Sequence, residues 1–222
     1  MTNYLKRILP QTAITTPVLF LIFNRLDTTR QVFEEIRKAR PQHLFIASDG
    51  PRPTHPEEKE IVRAIREYVI LSIDWDCEVH TLFRDENLGC KRAVSSAIDW
   101  FFSLVDEGII LEDDCLPDQS FFPFCQDLLS KYRYDTRIMM IGGTNFQFGR
   151  NKSENSYYFS RYFHIWGWAS WKRAWQHYDV DMRSWPEIRE NRLLHDIFHE
   201  KRIIKYWESI FDRVYNGNIN TW

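Results

Sequence analysis

Apolar positions along the first 140 residues follow two alternating rhythms. Pro17 to Phe23 is a β-branched, apolar run that reads as a buried strand. Thr29, Val32, Phe33 and Ile36 then recur at helical spacing, with Asp27 placed to cap that helix. His43 to Ser48 is a second apolar run, stopped by the turn residues Asp49-Gly50-Pro51. Thr54-x-x-Glu57 has the form of a capping box and opens a helix through Ile61, Ile65 and Val69. Cys77 to Phe83 alternates as an edge strand does. After Asn87-Leu88-Gly89, the positions Cys90, Ala93, Ala97, Phe101 and Leu104 mark a long helix. Gly108 to Leu111 is a buried strand that ends in Glu112-Asp113-Asp114. Asp118 is placed to cap a helix carrying Phe121, Cys125, Leu128 and Tyr132, and Arg137 to Ile141 is the next strand, closed by Gly142-Gly143.

Strand and helix in strict alternation predict an α/β fold with a mostly parallel sheet and helices on both faces. No internal repeat or low-complexity linker interrupts the chain, so residues 1–222 are expected to form a single domain. From Asn145 the pattern loosens into aromatic-rich segments and one charged helix, Glu187 to Asp212.

Composition narrows the choices of partner. With 29 Lys and Arg against 31 Asp and Glu, the chain lacks the basic field of a nucleic-acid binder. A small anionic ligand would have to be held by local groups or by a metal. The longest apolar run, Val18 to Phe23, is far too short for a transmembrane segment, and Met1 to Thr16 has no signal-like apolar stretch. The four cysteines are scattered without a C-x-x-C pair, which predicts reduced thiols and a cytoplasmic location.

Ligands of open parallel sheets bind beyond the carboxyl ends of the strands. Four such ends are polar here: Asn24-Arg25, Asp49-Gly50, Asn87-Leu88-Gly89 and Glu112-Asp113-Asp114. Three adjacent carboxylates at a buried strand end repel one another, and a divalent cation would relieve that cost. The plainer reading is a solvated acidic turn. Asp49 is either a turn residue or an acceptor for a base edge such as a uracil N3–H. Asn87 to Gly89, followed by Lys91 and Arg92, could present N–H groups and a cation to a phosphate. The run Phe163 to Trp171 holds three Trp around Gly167, either as core packing or as a platform for a sugar face. His195-Asp196-Ile197-Phe198-His199 approaches the H-E-x-x-H zinc pattern, but Asp reaches less far than Glu and no third ligand follows.

In this order the motifs resemble the GT-A-fold (Rossmann-like) nucleotide-diphospho-sugar glycosyltransferases, and in particular the branch typified by N-acetylglucosaminyltransferase I. The resemblance spans about residues 17 to 185. It implies a donor-binding half at 17–144 and an acceptor-side part at 145–222. It further implies a nucleotide-sugar donor, a glycan or other hydroxyl acceptor, and inverting transfer with Mn2+ or Mg2+. By the same resemblance Asp114 would be the metal ligand, and Glu112 and Asp113 would touch the donor's sugar or ribose. Asp49 would meet the base, Asn24, Arg25, Asn87 and Arg92 would lie on the nucleotide side, and Trp166, Gly167 and Trp168 would flank the acceptor. That branch places its catalytic base directly after a Trp on the acceptor side. The nearest match, Asn218 to Trp222, reaches the end of the sequence, so the chain is expected to be truncated or to use Asp179, Asp181 or Glu187. Two other readings remain: a sugar-phosphate nucleotidyltransferase, against which the glycine-free loop Asn24-Arg25-Leu26-Asp27 counts, and a catalytically incomplete binding domain.

Overall fold

The computed structural model describes residues 14–148, 150 and 155–222. Its centre is a sheet of six strands: β1 (Val18–Ile22), β2 (His43–Ser48), β3 (Glu78–Phe83), β4 (Glu107–Glu112), β5 (Met140–Gly142) and β6 (Trp168–Trp171). Their order is β3-β2-β1-β4-β6-β5. The strands β3, β2, β1 and β4 are mutually parallel, and β6 runs antiparallel to both of its neighbours. The α/β, mostly parallel architecture expected from the alternation is therefore present.

The sheet is covered on both sides because its strands are apolar on both faces. Val18, Phe20 and Ile22 point to the side of α1 (Leu26–Ala39), α2 (Glu58–Leu71) and α4 (Phe121–Tyr132). Leu19 and Leu21, one step out of phase, point to the side of α3 (Gly89–Leu104). Phe33 and Ile36 of α1 and Ile65 of α2 are fully buried, each contributing about 1.5–3 kcal/mol. Gly108 is required for this closeness on the α3 side. A Cβ there would lie 2.2 Å from the Phe101 ring.

Several local expectations are corrected. Asp27 does not cap α1. It lies in the first turn, while the Thr29 hydroxyl donates to Arg25 O at 2.6 Å. The Thr54–Glu57 capping box does not form, because α2 opens three residues later than such a box requires, at Glu58, with Glu57 in the N-cap place. Val62 rather than Ile61 faces the core there. The strand at Arg137–Ile141 shrinks to β5. Strand β6, which the aromatic run concealed, inserts between β4 and β5.

The single helix expected over Glu187–Asp212 is three: α6 (Trp185–Glu190), α7 (Leu194–Ile197) and α8 (Lys201–Tyr215). Arg192 at φ 54° and extended Phe198 break it. The breaks let Trp185, Leu194, Phe198 and Ile204 form a small core of their own. His195 and His199 consequently do not share a helix. A four-residue α5 (Lys172–Trp175) links β6 to this region.

Candidate active site at the strand switch

The chain runs outward from β1 to β2 and β3, then returns to place β4 on the other side of β1. The crevice above the carboxyl ends of β1 and β4 is thus the switch point where ligands of such sheets bind. Leu21 is in register with Glu112, so the segments beyond these strands, Phe23–Arg25 and Asp113–Asp114, emerge side by side.

Arg25 bridges them. Its guanidinium lies 2.6 Å from Asp113 Oδ1 and 2.8 Å from Asp114 Oδ2. The Phe23 backbone N–H donates to the other Asp113 oxygen at 3.3 Å. Asp113 is buried, whereas Asp114 is half exposed. Burial, together with the charges of Asp114 and Asp113, pushes the Glu112 carboxyl up to about 7, against the pull of Arg25. Burial also raises Asp113, again opposed by Arg25. Burial tends to lower Arg25, but the two aspartates outweigh it and hold its pKa above the usual value. The triad of acids is strained electrostatically, and Arg25 compensates it only in part.

Only part of this donor set is free to meet a hard divalent cation. Asp113 is committed to Arg25 and Phe23. Glu112 and Asp114 both line the adjoining cleft, and Asp114 Oδ1 faces nothing stronger than the Cys115 thiol at 3.7 Å. Among the described residues no three His, Cys, Asp or Glu converge as ligands. Two carboxylates with phosphate and water oxygens would complete a magnesium- or manganese-type shell.

The cleft that receives Glu112 and Asp114 has a volume of about 1280 Å³. It follows the sheet edge along α4 and β5 and is walled on its outer side by residues 156–164. Trp166 and Gly167 line it. Trp168 does not. It is a buried β6 residue paired with Ile110, packed on the α3 face against Trp175 and Trp222. Two-sided burial of a short strand explains why its Trp-Ala-Ser-Trp run looked like a platform.

The polar residues around α3 have structural partners within the chain, and none of Asn24, Asp49, Asn87 and Arg92 lines the cleft. Asp49 Oδ1 accepts from Gly50 N and Leu88 N at 3.0 Å, and Oδ2 from Leu88 N and Gly89 N at 3.1 and 3.0 Å. Three N–H groups thus share its two oxygens, and it caps α3 from a distance. Asn220 Oδ1 accepts from Lys91 N at 3.1 Å and fills the next place at the helix N-terminus. A phosphate there would meet both an occupied cap and a carboxylate. Asn87 donates to Gly50 O at 2.8 Å, and Arg92 pairs with Asp181. Asn24 donates to Glu58 Oε1 at 2.8 Å. Glu58, which nothing in the local sequence singles out, is the buried node joining Asn24 and Arg52.

Two of the three substitute bases are engaged. Asp179 binds Arg183, and Asp181 binds Arg92, and neither they nor Glu187 line the cleft. Asp118 does line it, with its carboxylate accepting from Ser120 N and Oγ at 2.9 and 2.6 Å.

No family model and no curated protein matches the chain. Among solved structures it is similar to 4-diphosphocytidyl-2C-methyl-D-erythritol synthase from Anaerococcus prevotii DSM 20548, at 9% identity and a TM-score of 0.39. The match covers 71% of this chain and 72% of that one. A likeness this loose carries no argument about chemistry. Among the described residues, no helix is long and apolar enough to cross a membrane.

Proposed function

We propose that this chain binds a nucleotide-diphosphate sugar at the β1–β4 switch and transfers the sugar to a hydroxyl acceptor lying in the cleft. The observation that carries the reading is the position of Glu112 and Asp114. They are acids with spare oxygens, at the switch point, opening into a cleft lined by aromatic side chains. Glu112 and Asp114 would hold Mn2+ or Mg2+, which supplies charge neutralisation for a diphosphate leaving group. Arg25, drawn off Asp114, is long enough and exposed enough to meet a phosphate oxygen. Trp166 and its neighbours offer apolar faces to a sugar ring. Attack by the acceptor oxygen on the anomeric carbon breaks the bond to the diphosphate, and the hydroxyl proton passes to a base.

A sugar-phosphate nucleotidyltransferase would use the same switch point and would release pyrophosphate instead. The glycine-free first loop favours the glycosyl reading. One assay separates the possibilities. Nucleotide sugars with manganese and a mixed acceptor pool are expected to give nucleotide diphosphate. Pyrophosphate released from a nucleoside triphosphate and a sugar phosphate would establish the nucleotidyl reading. No thermal stabilisation by any nucleotide or nucleotide sugar would remove both.

A further inference from the structure

The two ends of the cleft differ in charge. Helix α4 has 12 residues and is therefore about 18 Å long. Glu112, Asp114 and Asp118 gather at its N-terminal end, and Tyr132, its last residue, lines the cleft at the other. There the Tyr132 and Tyr157 hydroxyls lie 2.7 Å apart, and Lys131 Nζ donates to Tyr157 at 2.6 Å. The ammonium also sits 5.2 Å from the centre of each ring. No carboxylate among the described residues pairs with Lys131, whereas nearby Arg137 is held by Asp135 at 2.7 Å. Hydrogen counting makes the cluster donor-rich. Three ammonium protons and two phenolic protons serve two internal bonds, leaving three donors and no strong acceptor. Lys131 in turn holds the Tyr157 phenol below its ordinary range, which strengthens it as a donor.

We propose that Tyr132 and Tyr157, which line this end of the cleft, together with the Lys131 ammonium bonded to Tyr157, bind an oxyanion carried by the molecule that lies along the cleft. A ligand spanning the cleft would thus place its reacting group near the acids and its negative group some 18 Å away, the length of α4. The acid end repels that group, so the polarity also fixes which way round the ligand enters.

The test needs neither metal nor nucleotide, so its failure and the failure of the proposed transfer reaction are distinguishable. Inorganic phosphate and, separately, glucuronate are titrated into the full chain carrying 13C-labelled tyrosine rings. Saturable shifts confined to Tyr132 and Tyr157 are expected with at least one of them, and the better ligand identifies the anion as phosphate or carboxylate. Lys131→Gln and Tyr157→Phe are each expected to weaken it about tenfold, the loss of one charge-assisted hydrogen bond. Lys131→Arg should retain most of the affinity, which guards against misreading a folding defect. Lys38→Gln, on α1 and paired with Glu35, should change nothing. Absence of saturable shifts with both probes, or equal affinity in Lys131→Gln, would overturn the site.

Discussion

Arg25 and Asp113 meet at 2.6 Å across the junction between the first and fourth strands, the guanidinium half in solvent and the carboxylate almost wholly buried. The asymmetry decides what removing either partner does. Arg25→Ala leaves a buried carboxylate facing Glu112 and Asp114 with one backbone N–H for company. A fully buried pair broken this way costs about 3–5 kcal/mol, and exposure of Arg25 reduces the expected loss to about 1–3 kcal/mol. Urea denaturation measures it. Removing Asp113 as well should recover part of the loss, and a double variant no more stable than Arg25→Ala would show that Asp113 is not the reason.

Asp49 yields a prediction opposite to the one a base-reading carboxylate would give. It caps α3 with both oxygens, so Asp49→Ala is expected to cost about 1–2 kcal/mol in stability. Any nucleotide affinity should fall evenly across bases. Selective loss for one base, with unchanged melting temperature, would restore the recognition role.

The alternation of strands and helices was legible because every strand from β1 to β4 is at least five residues long and turns are marked by Asp-Gly and Asn-Leu-Gly. The end of β4 at Glu112-Asp113-Asp114 was legible too, since a charged run closes an apolar strand. Partnerships between distant residues were not. Nothing local says that Asp49 reaches Leu88, or that Asn220 reaches Lys91, 129 positions away. Asn24, Asp49 and Asn87 stand out in sequence because strand ends and turns collect polar residues, and Arg92 because it follows in α3; each has a partner within the chain. Strand β6 escaped because four residues are too few to establish a period of two, and because Trp suits a core as well as a surface.

Glu58 gives the chain a defined acid response. Its hydrogen bonds from the Arg52 side chain, aided by Arg52 N and Asn24, lower its carboxyl from 4.5 to about 2 against the cost of burial. A depressed carboxyl stabilises the fold above its unfolded value and loses that contribution as pH falls through its folded one. Glu58→Gln should therefore be less stable than the parent chain by about 1–3 kcal/mol at pH 6. The gap should narrow between pH 4.5 and 2. Unfolding curves collected across that range decide the matter, and a gap independent of pH would mean that packing, not charge, is what Glu58 supplies.

Asp114 is where donor binding and stability should separate. It is half exposed, and one of its oxygens is tied to Arg25 while the other is spare. Asp114→Ala removes a carboxylate from a crowded acidic site, so the apo chain should lose little stability, or gain some as Glu112 is relieved. The same change should abolish the extra thermal stabilisation that manganese gives to a bound nucleotide diphosphate. Asp118→Ala provides the contrast. Its carboxylate is occupied by Ser120 N and Oγ at the approach to α4, so the variant should lose a little stability and keep its manganese dependence. Melting temperatures with nucleotide diphosphate alone, manganese alone and both together measure the coupling for each variant. If Asp114→Ala keeps the full manganese effect, the cation lies elsewhere. In that case Arg25, already neutralising Asp113 and Asp114, would be the only cation this strand end requires.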